Sequence, residues 1–143
     1  MAPPKTVVTK DNKTMHFSVG AVIKRGGKYL LIDRAQMPLG FAGIAGHVDK
    51  GEEPLEALRR ELKEESKLIL EDARLIFEEV QENNVCTKRI TVHHWYLFEC
   101  QVHGAIKRNL HETKSIGWYS KEEIKNLTLE PVWAYWFKKL KIV

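Results

Sequence analysis

Cysteine is scarce in this chain: Cys86 and Cys100 are the two present among 143 residues. Two thiols make neither a disulfide framework nor a zinc motif, and both fall in apolar or β-like stretches where buried free thiols are expected. No apolar run reaches the length needed to span a bilayer, so no membrane partner is expected. The opening stretch, MAPPKTVVTKDNKT, lacks the apolar centre of a secretion signal, and a cytoplasmic protein is the default. Internal repeats, low-complexity segments and dividing linkers are also missing. Long basic runs are absent too. Net charge is +4 and the densest basic patch, KKLK near the C-terminus, reads as a solvated helix end. A mild basic excess of this kind is compatible with anionic small molecules or with nucleic acid and does not choose between them.

What remains is an ordinary globular composition, 43% hydrophobic and 29% charged, in a chain the size of one domain with a sizeable core. Residues 1–13 read as a flexible tail and 14–143 as a single domain. His16 to Ile23 and Lys28 to Asp33 read as strands joined at Arg25-Gly26-Gly27, and their nearly continuous apolar character predicts burial on both faces. Arg34 to Gly43 reads as a loop and Ile44 to Val48 as a short extended piece. A helix is predicted from about Pro54 to Ser66, opened by a proline at its first position and carrying Leu55, Leu58 and Leu62 as its core stripe. Two longer strands follow, Ala73 to Gln81 and Arg89 to Val102, with Val85 to Thr87 able to extend either. A short strand covers Ser115 to Tyr119. A capped helix, Lys121 to Asn126, has Ser120 and Glu123 in a capping-box pattern. A last helix runs from Pro131 to about Lys141, with Trp133 and Trp136 read as core.

The informative stretch is GHVDKGEEPLEALRRELKEESKL, Gly46 to Leu68. Glu61, Glu64 and Glu65 project to one side of the predicted helix, with Arg60 just before them. Carboxylates so crowded repel unless a solvated face spreads them or hard cations sit between them. Three converging carboxylates suit Mg²⁺ or Mn²⁺, and cleavage of a phosphate or pyrophosphate is the chemistry most often run on such a cluster.

These residues stand in the register of a known motif. Gly46, Glu52, Arg60, Glu61, Leu62, Glu64, Glu65 and Leu68 reproduce the Nudix box, with Lys67 departing where that pattern has glycine. Six fixed residues at roughly one in fifteen each, with two aliphatics, make chance agreement far rarer than about one in a million. The order of elements around the box also resembles the Nudix fold. The resemblance implies an α/β class fold, an α/β/α sandwich with a mixed β-sheet. It implies metal-dependent hydrolysis of a pyrophosphate bond in a nucleoside diphosphate-linked substrate, with Mg²⁺ or Mn²⁺ as cofactor. By position, Glu61, Glu64 and Glu65 would be metal ligands, with the backbone carbonyl of Ala45 as a further one. Arg60 and Glu52 would form a supporting ion pair. Glu112, six residues before Trp118, is a candidate further ligand or general base, against the alternative of a surface-loop glutamate. Glu64, Glu61, Glu112 and Arg60 make up the expected catalytic set.

Two departures carry expectations of their own. Left-handed backbone at Lys67 would cost on the order of 1 kcal/mol, so the helix is expected to end differently or run further. Ile44 and Ala45 stand where the family often has Pro-Gly, which leaves a carbonyl ligand possible. Arg34 is a candidate phosphate clamp. Phe41 is a candidate base-stacking residue, with a core-lid role as the alternative. His47, a poor ligand type for Mg²⁺, reads as structural or substrate-facing. His93 and His94, adjacent on a strand, point to opposite faces and cannot form a joint metal site. The expected partner is a small nucleotide-type molecule, and the expected assembly a monomer or homodimer. A sensor that binds a nucleotide without cleaving it is the alternative. Processing of RNA ends has only the basic pI behind it, so nucleic acid is not the expected partner.

Overall fold

The computed structural model describes residues 2–84, 86 and 90–143. Its architecture grows from one long strand, β2 (Thr14–Arg25), in which every residue from His16 to Ile23 is buried. That double-sided burial is what its near-continuous apolar run predicts. β2 turns through Gly26 and Gly27, at φ 58° and 77°, into β3 (Lys28–Arg34). Lys24 faces Tyr29 and Arg25 faces Lys28, a two-residue hairpin whose turn needs two left-handed residues.

Along one side of β2 runs β7 (Val92–His103), parallel, from Met15↔Val92 to Ile23↔Cys100. β6 (Ile69–Gln81) then pairs antiparallel with β7. The other side of β2 takes β1 (Thr6–Val8) and β5 (Ile44–His47), both antiparallel. β3 continues away to pair with β4 (Phe41–Ala42) and β8 (Thr113–Tyr119). The sheet is therefore mixed.

Helices cover both of its faces. On β5, Gly46 lies against Glu61 of helix α1 (Pro54–Ser66). Gly20, on the opposite face of the neighbouring strand, lies beneath Trp133 of helix α3 (Pro131–Lys139), as does Gly43. A Cβ at Gly20 would meet the Trp133 ring at 3.1 Å and one at Gly43 at 2.5 Å. The core on the α3 side is aromatic. Trp133 and Trp136 are fully buried, Phe77 stacks on Trp136 at 5.9 Å, and Trp95 meets it edge-on at 6.0 Å. Leu58 and Leu62 are the buried leucines of α1, each contributing roughly 1.5–3 kcal/mol through burial. Between β8 and α3, helix α2 (Lys121–Ile124) is short. The Glu123 N–H donates to Ser120 Oγ at 3.1 Å and the Ser120 N–H to Glu123 Oε1 at 3.0 Å, the expected capping box.

Several sequence expectations are corrected. Residues 3–8 are paired rather than loose: β1 lies on the edge of β2 below β5, and the Lys5 N–H donates to Val48 O at 2.8 Å. The β-branched run Thr6-Val7-Val8 completes an edge that would otherwise leave donors unpaired. Leu55 is 42% exposed, although rotation places it with Leu62. It belongs to the first turn, and burial falls on the later turns, where it takes in Ala57, Glu61 and Glu65. β6 begins at Ile69, not Ala73, because register shifts near Leu70 and Leu75 absorb the breaks in its alternation. β8 begins at Thr113, two residues earlier than expected. β7 starts at Val92. The expected start at Arg89, and the possible extension through Val85 and Thr87, lie outside the described residues. Among the described residues no helix is long and apolar enough to cross a membrane.

The end of α1 is the sharpest correction. Lys67 does adopt the left-handed conformation, at φ 66°, and its N–H donates to Lys63 O at 3.1 Å. The exit is held from both sides of that residue. Ser66 Oγ donates to Leu62 O at 2.7 Å, Ser66 O accepts the Lys107 N–H at 2.9 Å, and Leu68 is buried. These contacts outweigh a local cost of about 1 kcal/mol. Lys67→Gly is therefore expected to stabilise the protein by about 0.5–1 kcal/mol in urea denaturation. A loss of stability would contradict strain at this position.

Candidate active site

The start of α1 sets the site's frame. Gly51, at φ 83°, turns the chain into the helix, Pro54 occupies its first position, and the Glu53 N–H donates to Glu56 Oε1 at 3.0 Å. Two turns on, Arg60 reaches back across this entry. Its Nε donates to Glu52 Oε2 at 2.9 Å and one terminal nitrogen to Glu52 Oε1 at 3.0 Å, a bidentate fork. That same nitrogen donates to the backbone oxygen of His47 at 2.9 Å. The other donates to Glu61 Oε1 at 2.7 Å and approaches Glu64 at 3.5 Å. Asp49 stands 3.5 Å from the guanidinium, and its N–H donates to Glu52 Oε1 at 2.9 Å. One guanidinium thus ties α1, the loop before it and the end of β5.

Gly46 makes room for Glu61. A Cβ there would lie 2.0 Å from the Glu61 carboxyl carbon and within 2.5 Å of both its oxygens. The carboxyl is pressed against bare backbone, buried to 8% exposure. Glu65, one turn later, is buried to 3%, whereas the Glu64 side chain is half exposed.

Burial sets the electrostatics. Desolvation pushes Glu61 up to about 7, against the pull of Arg60 and with help from Glu64 and Glu112. Glu65 is raised further, first by burial and then by Glu112 and Glu61. Glu52 goes the other way, held below the usual carboxylate range by its Arg60 hydrogen bond. The Arg60 guanidinium is held protonated above its ordinary value, first by Glu52.

These groups border a cleft of about 920 Å³. Arg34, Ala45, Gly46, His47, Arg60, Glu61, Glu64 and Glu112 all line it. Glu52 and Glu65 stand behind that wall. Arg34 also donates through Nε to Pro38 O at 2.7 Å, which fixes the loop after β3. Phe41 is not brought to the cleft. It packs edge-on to Tyr119 at 5.7 Å and against the core, the lid-like alternative to base stacking.

Sequence reading missed part of the lining. Glu130, at the start of α3, is buried to 6% and pushed by burial to about 7, with Arg34 pulling it down. In the sequence it looks like an ordinary helix-start acid before Pro131. Ser18, Asn84, Cys86, His93 and Trp95 complete the inner wall, and nothing in their spacing announced it. Cys86 is half-buried, not buried as expected, while Cys100 is buried, and both are free thiols.

The NUDIX domain family model matches residues 14–140. The chain belongs to the Nudix family. The fold agrees with solved relatives. The MutT Nudix hydrolase from Burkholderia pseudomallei is 26% identical, with TM-score 0.64 over 76% of this chain and 85% of that one. The E. coli ORF135 protein is 26% identical, with TM-score 0.67 over 86% of each chain. The Nudix domain of Shewanella oneidensis NrtR, complexed with ADP ribose, shares the fold at TM-score 0.73 over 92% and 90%, with 15% identity. No curated protein sequence matches. This Nudix chain is a Nudix hydrolase.

Nudix hydrolases generally use divalent metal ions, and this chain's residues fit one. Glu65 Oε2 is buried without a hydrogen-bond partner among the described residues. Glu61 occupies the space that Gly46 leaves, and the donors are all oxygen, the set that hard cations prefer.

Two outcomes follow. Gly46→Ala drives a methyl group into the Glu61 carboxyl and should abolish metal-dependent activity while far-UV circular dichroism is unchanged. Retained activity would show that Glu61 can move without consequence. The second concerns pH. His93, lowered to about 4 mainly by burial, adds stability as pH rises only up to its ordinary 6.5. Above that, the raised Glu61, Glu65 and Glu130 dominate, and the stability their protonated forms contribute is lost as pH rises through about 7 and, for Glu65, about 9. Metal-free protein should melt at a lower temperature at about pH 8.5 than at about pH 6.5, and Mg²⁺ should shrink the gap. A higher melting temperature at the alkaline pH would contradict the buried-acid assignment.

Proposed function

We propose that residues 14–143 act as one domain that hydrolyses a pyrophosphate bond in a nucleoside diphosphate-linked substrate, using Mg²⁺ or Mn²⁺. The observation that carries this reading is the convergence of Glu61, Glu64 and Glu112 with Arg34 on one cleft, backed by the buried Glu65. Glu61, Glu64, Glu65, Glu112 and the Ala45 carbonyl are the groups that would hold the cation. A divalent cation bound there supplies positive charge to the pyrophosphate oxygens and makes water a better nucleophile.

The chain's own residues do the rest. Arg60 neutralises and orients Glu61, so the carboxylates stay close without dispersing. Arg34, at the cleft, presents a cation toward phosphate oxygens. Glu64 and Glu112 are cleft-wall carboxylates that Arg60 does not grip closely, and proton transfer from the attacking water falls to one of them. Glu130, a buried acid near neutrality, offers one O–H and one acceptor oxygen to a polar ring edge. His47 faces the same space. ADP ribose on the NrtR Nudix domain supports a nucleotide-type substrate. Two free thiols agree with a cytoplasmic setting.

A sensor without hydrolysis is the second reading, favoured by the departures at Ala45 and Lys67 and opposed by the intact glutamate set. One experiment separates them. Nucleoside triphosphates, nucleotide sugars, ADP ribose and dinucleoside polyphosphates are assayed for product with Mg²⁺ and Mn²⁺, beside Glu64→Gln. Turnover on one class, reduced at least about 100-fold in the variant with its fold intact, is expected. Thermal stabilisation by a nucleotide with no product from any class would favour the sensor. Wild-type turnover in Glu64→Gln would remove the glutamate from the mechanism.

A further inference from the structure

His47, His93 and Cys86 of the cleft lining, with the buried His16, make a second group of potential ligands, chemically unlike the first. His16, His47, His93 and Cys86 place one ligand atom each within 4.8 Å of all the others. Strand pairing puts them there. His16 and His93 are register partners across the parallel β2–β7 pair, and His47 pairs with Ser18, two residues along β2 from His16. All three imidazoles therefore rise from the same face of three adjacent strands. Cys86, in the segment after β6, closes over them, with Sγ 3.9 Å from His16 Nδ1.

The imidazoles are packed as a group. His16 and His47 lie edge-on with centroids 4.7 Å apart, and His47 stacks on His93 at 5.7 Å. His93 is 98% removed from solvent by its 2% exposure, yet neither ring nitrogen meets the geometry of a hydrogen bond among the described residues. The backbone at Asn84 and Thr91 favours its charged form, against the effect of burial. Polar ring atoms buried in this way are costly unless something binds them.

We propose that His16, His47, His93 and Cys86 form a closed site for one Zn²⁺ or another borderline-soft divalent ion, separate from the hard-cation site of the glutamates. Three nitrogens and one sulfur are a ligand set for zinc and a poor one for Mg²⁺. Tetrahedral zinc holds three nitrogens and one sulfur about 3.3–3.6 Å apart, so a spacing of up to 4.8 Å closes by about 1.5 Å at most. Coordination replaces the Cys86 thiol proton, which passes to solvent. Four protein ligands leave no open position, so this ion is structural. It pins Cys86 to β2, β5 and β7, and adds a net single positive charge to a cleft otherwise rich in carboxylates.

The test uses the full chain stripped of metal, then loaded with Co²⁺ or Zn²⁺ alone. Co²⁺ is expected to give the intense thiolate charge-transfer band and visible bands of a four-coordinate ion, retained with Mg²⁺ in excess and in Glu64→Gln, and lost in Cys86→Ser. Zn²⁺ should raise the melting temperature of the wild type more than that of Cys86→Ser. The wild type offers a readout independent of any variant's folding. Cys100 is buried, so alkylation reports Cys86, and one equivalent of Zn²⁺ should block it where Mg²⁺ does not. A weak six-coordinate Co²⁺ spectrum unchanged in Cys86→Ser, or alkylation indifferent to Zn²⁺, overturns the proposal.

Discussion

The guanidinium of Arg60 is the interaction on which the site depends. It binds both oxygens of Glu52, the carbonyl of His47 and one oxygen of Glu61. Without a fixed positive charge there, the acids of α1 and its approach would repel one another and the helix would have no reason to present them together. Arginine suits the place because its planar fork meets several acceptors at once and keeps its proton. The fork works only because the helix is already oriented. Leu58 and Leu62 anchor α1 to the sheet, and bare backbone at Gly46 lets the Glu61 carboxyl sit flush against β5.

The cost of this arrangement is electrostatic. Glu61, Glu65 and Glu130 are all buried acids whose ionised forms are disfavoured. Such groups are tolerated at sites that work on charge, and they bring their proton affinities near the pH at which the protein operates. The stability they forgo is supplied elsewhere. The aromatic layer of α3, closed over Gly20 and Gly43, packs the second face of the sheet.

Much of this was legible in the sequence, for local reasons. Pro54 marks the start of helix α1, and the Gly26-Gly27 turn marks the hairpin. Box residues could be read because their geometry lies within one helix and its entry loop. The illegible parts are those that depend on contacts distant in sequence. Leu55 fits the helical stripe but lies where the stripe is not covered. Lys67 was expected to avoid left-handed backbone because the anchoring of Ser66 and Leu68, partly by Lys107, could not be foreseen. Phe41 went to the core instead of the cleft. Glu130 was disguised as a helix-start residue. His93 has His94 as its neighbour in sequence, but its companions in space are His16 across a strand pair and His47 one strand further.

Burial raises Glu61 and Glu65, so without a cation these glutamates should hold protons and give them up when one binds. Calorimetric titration of Mg²⁺ into metal-free protein near pH 7, repeated in two buffers of different ionisation enthalpy, counts those protons directly. Mg²⁺ avoids the imidazole and thiol ligands, so the count belongs to the carboxylates. Net proton release on binding, diminished in Glu61→Gln and Glu65→Gln, is the predicted result. Binding of Mg²⁺ with no proton release, or no binding at all, would contradict proton-holding ligands at Glu61 and Glu65.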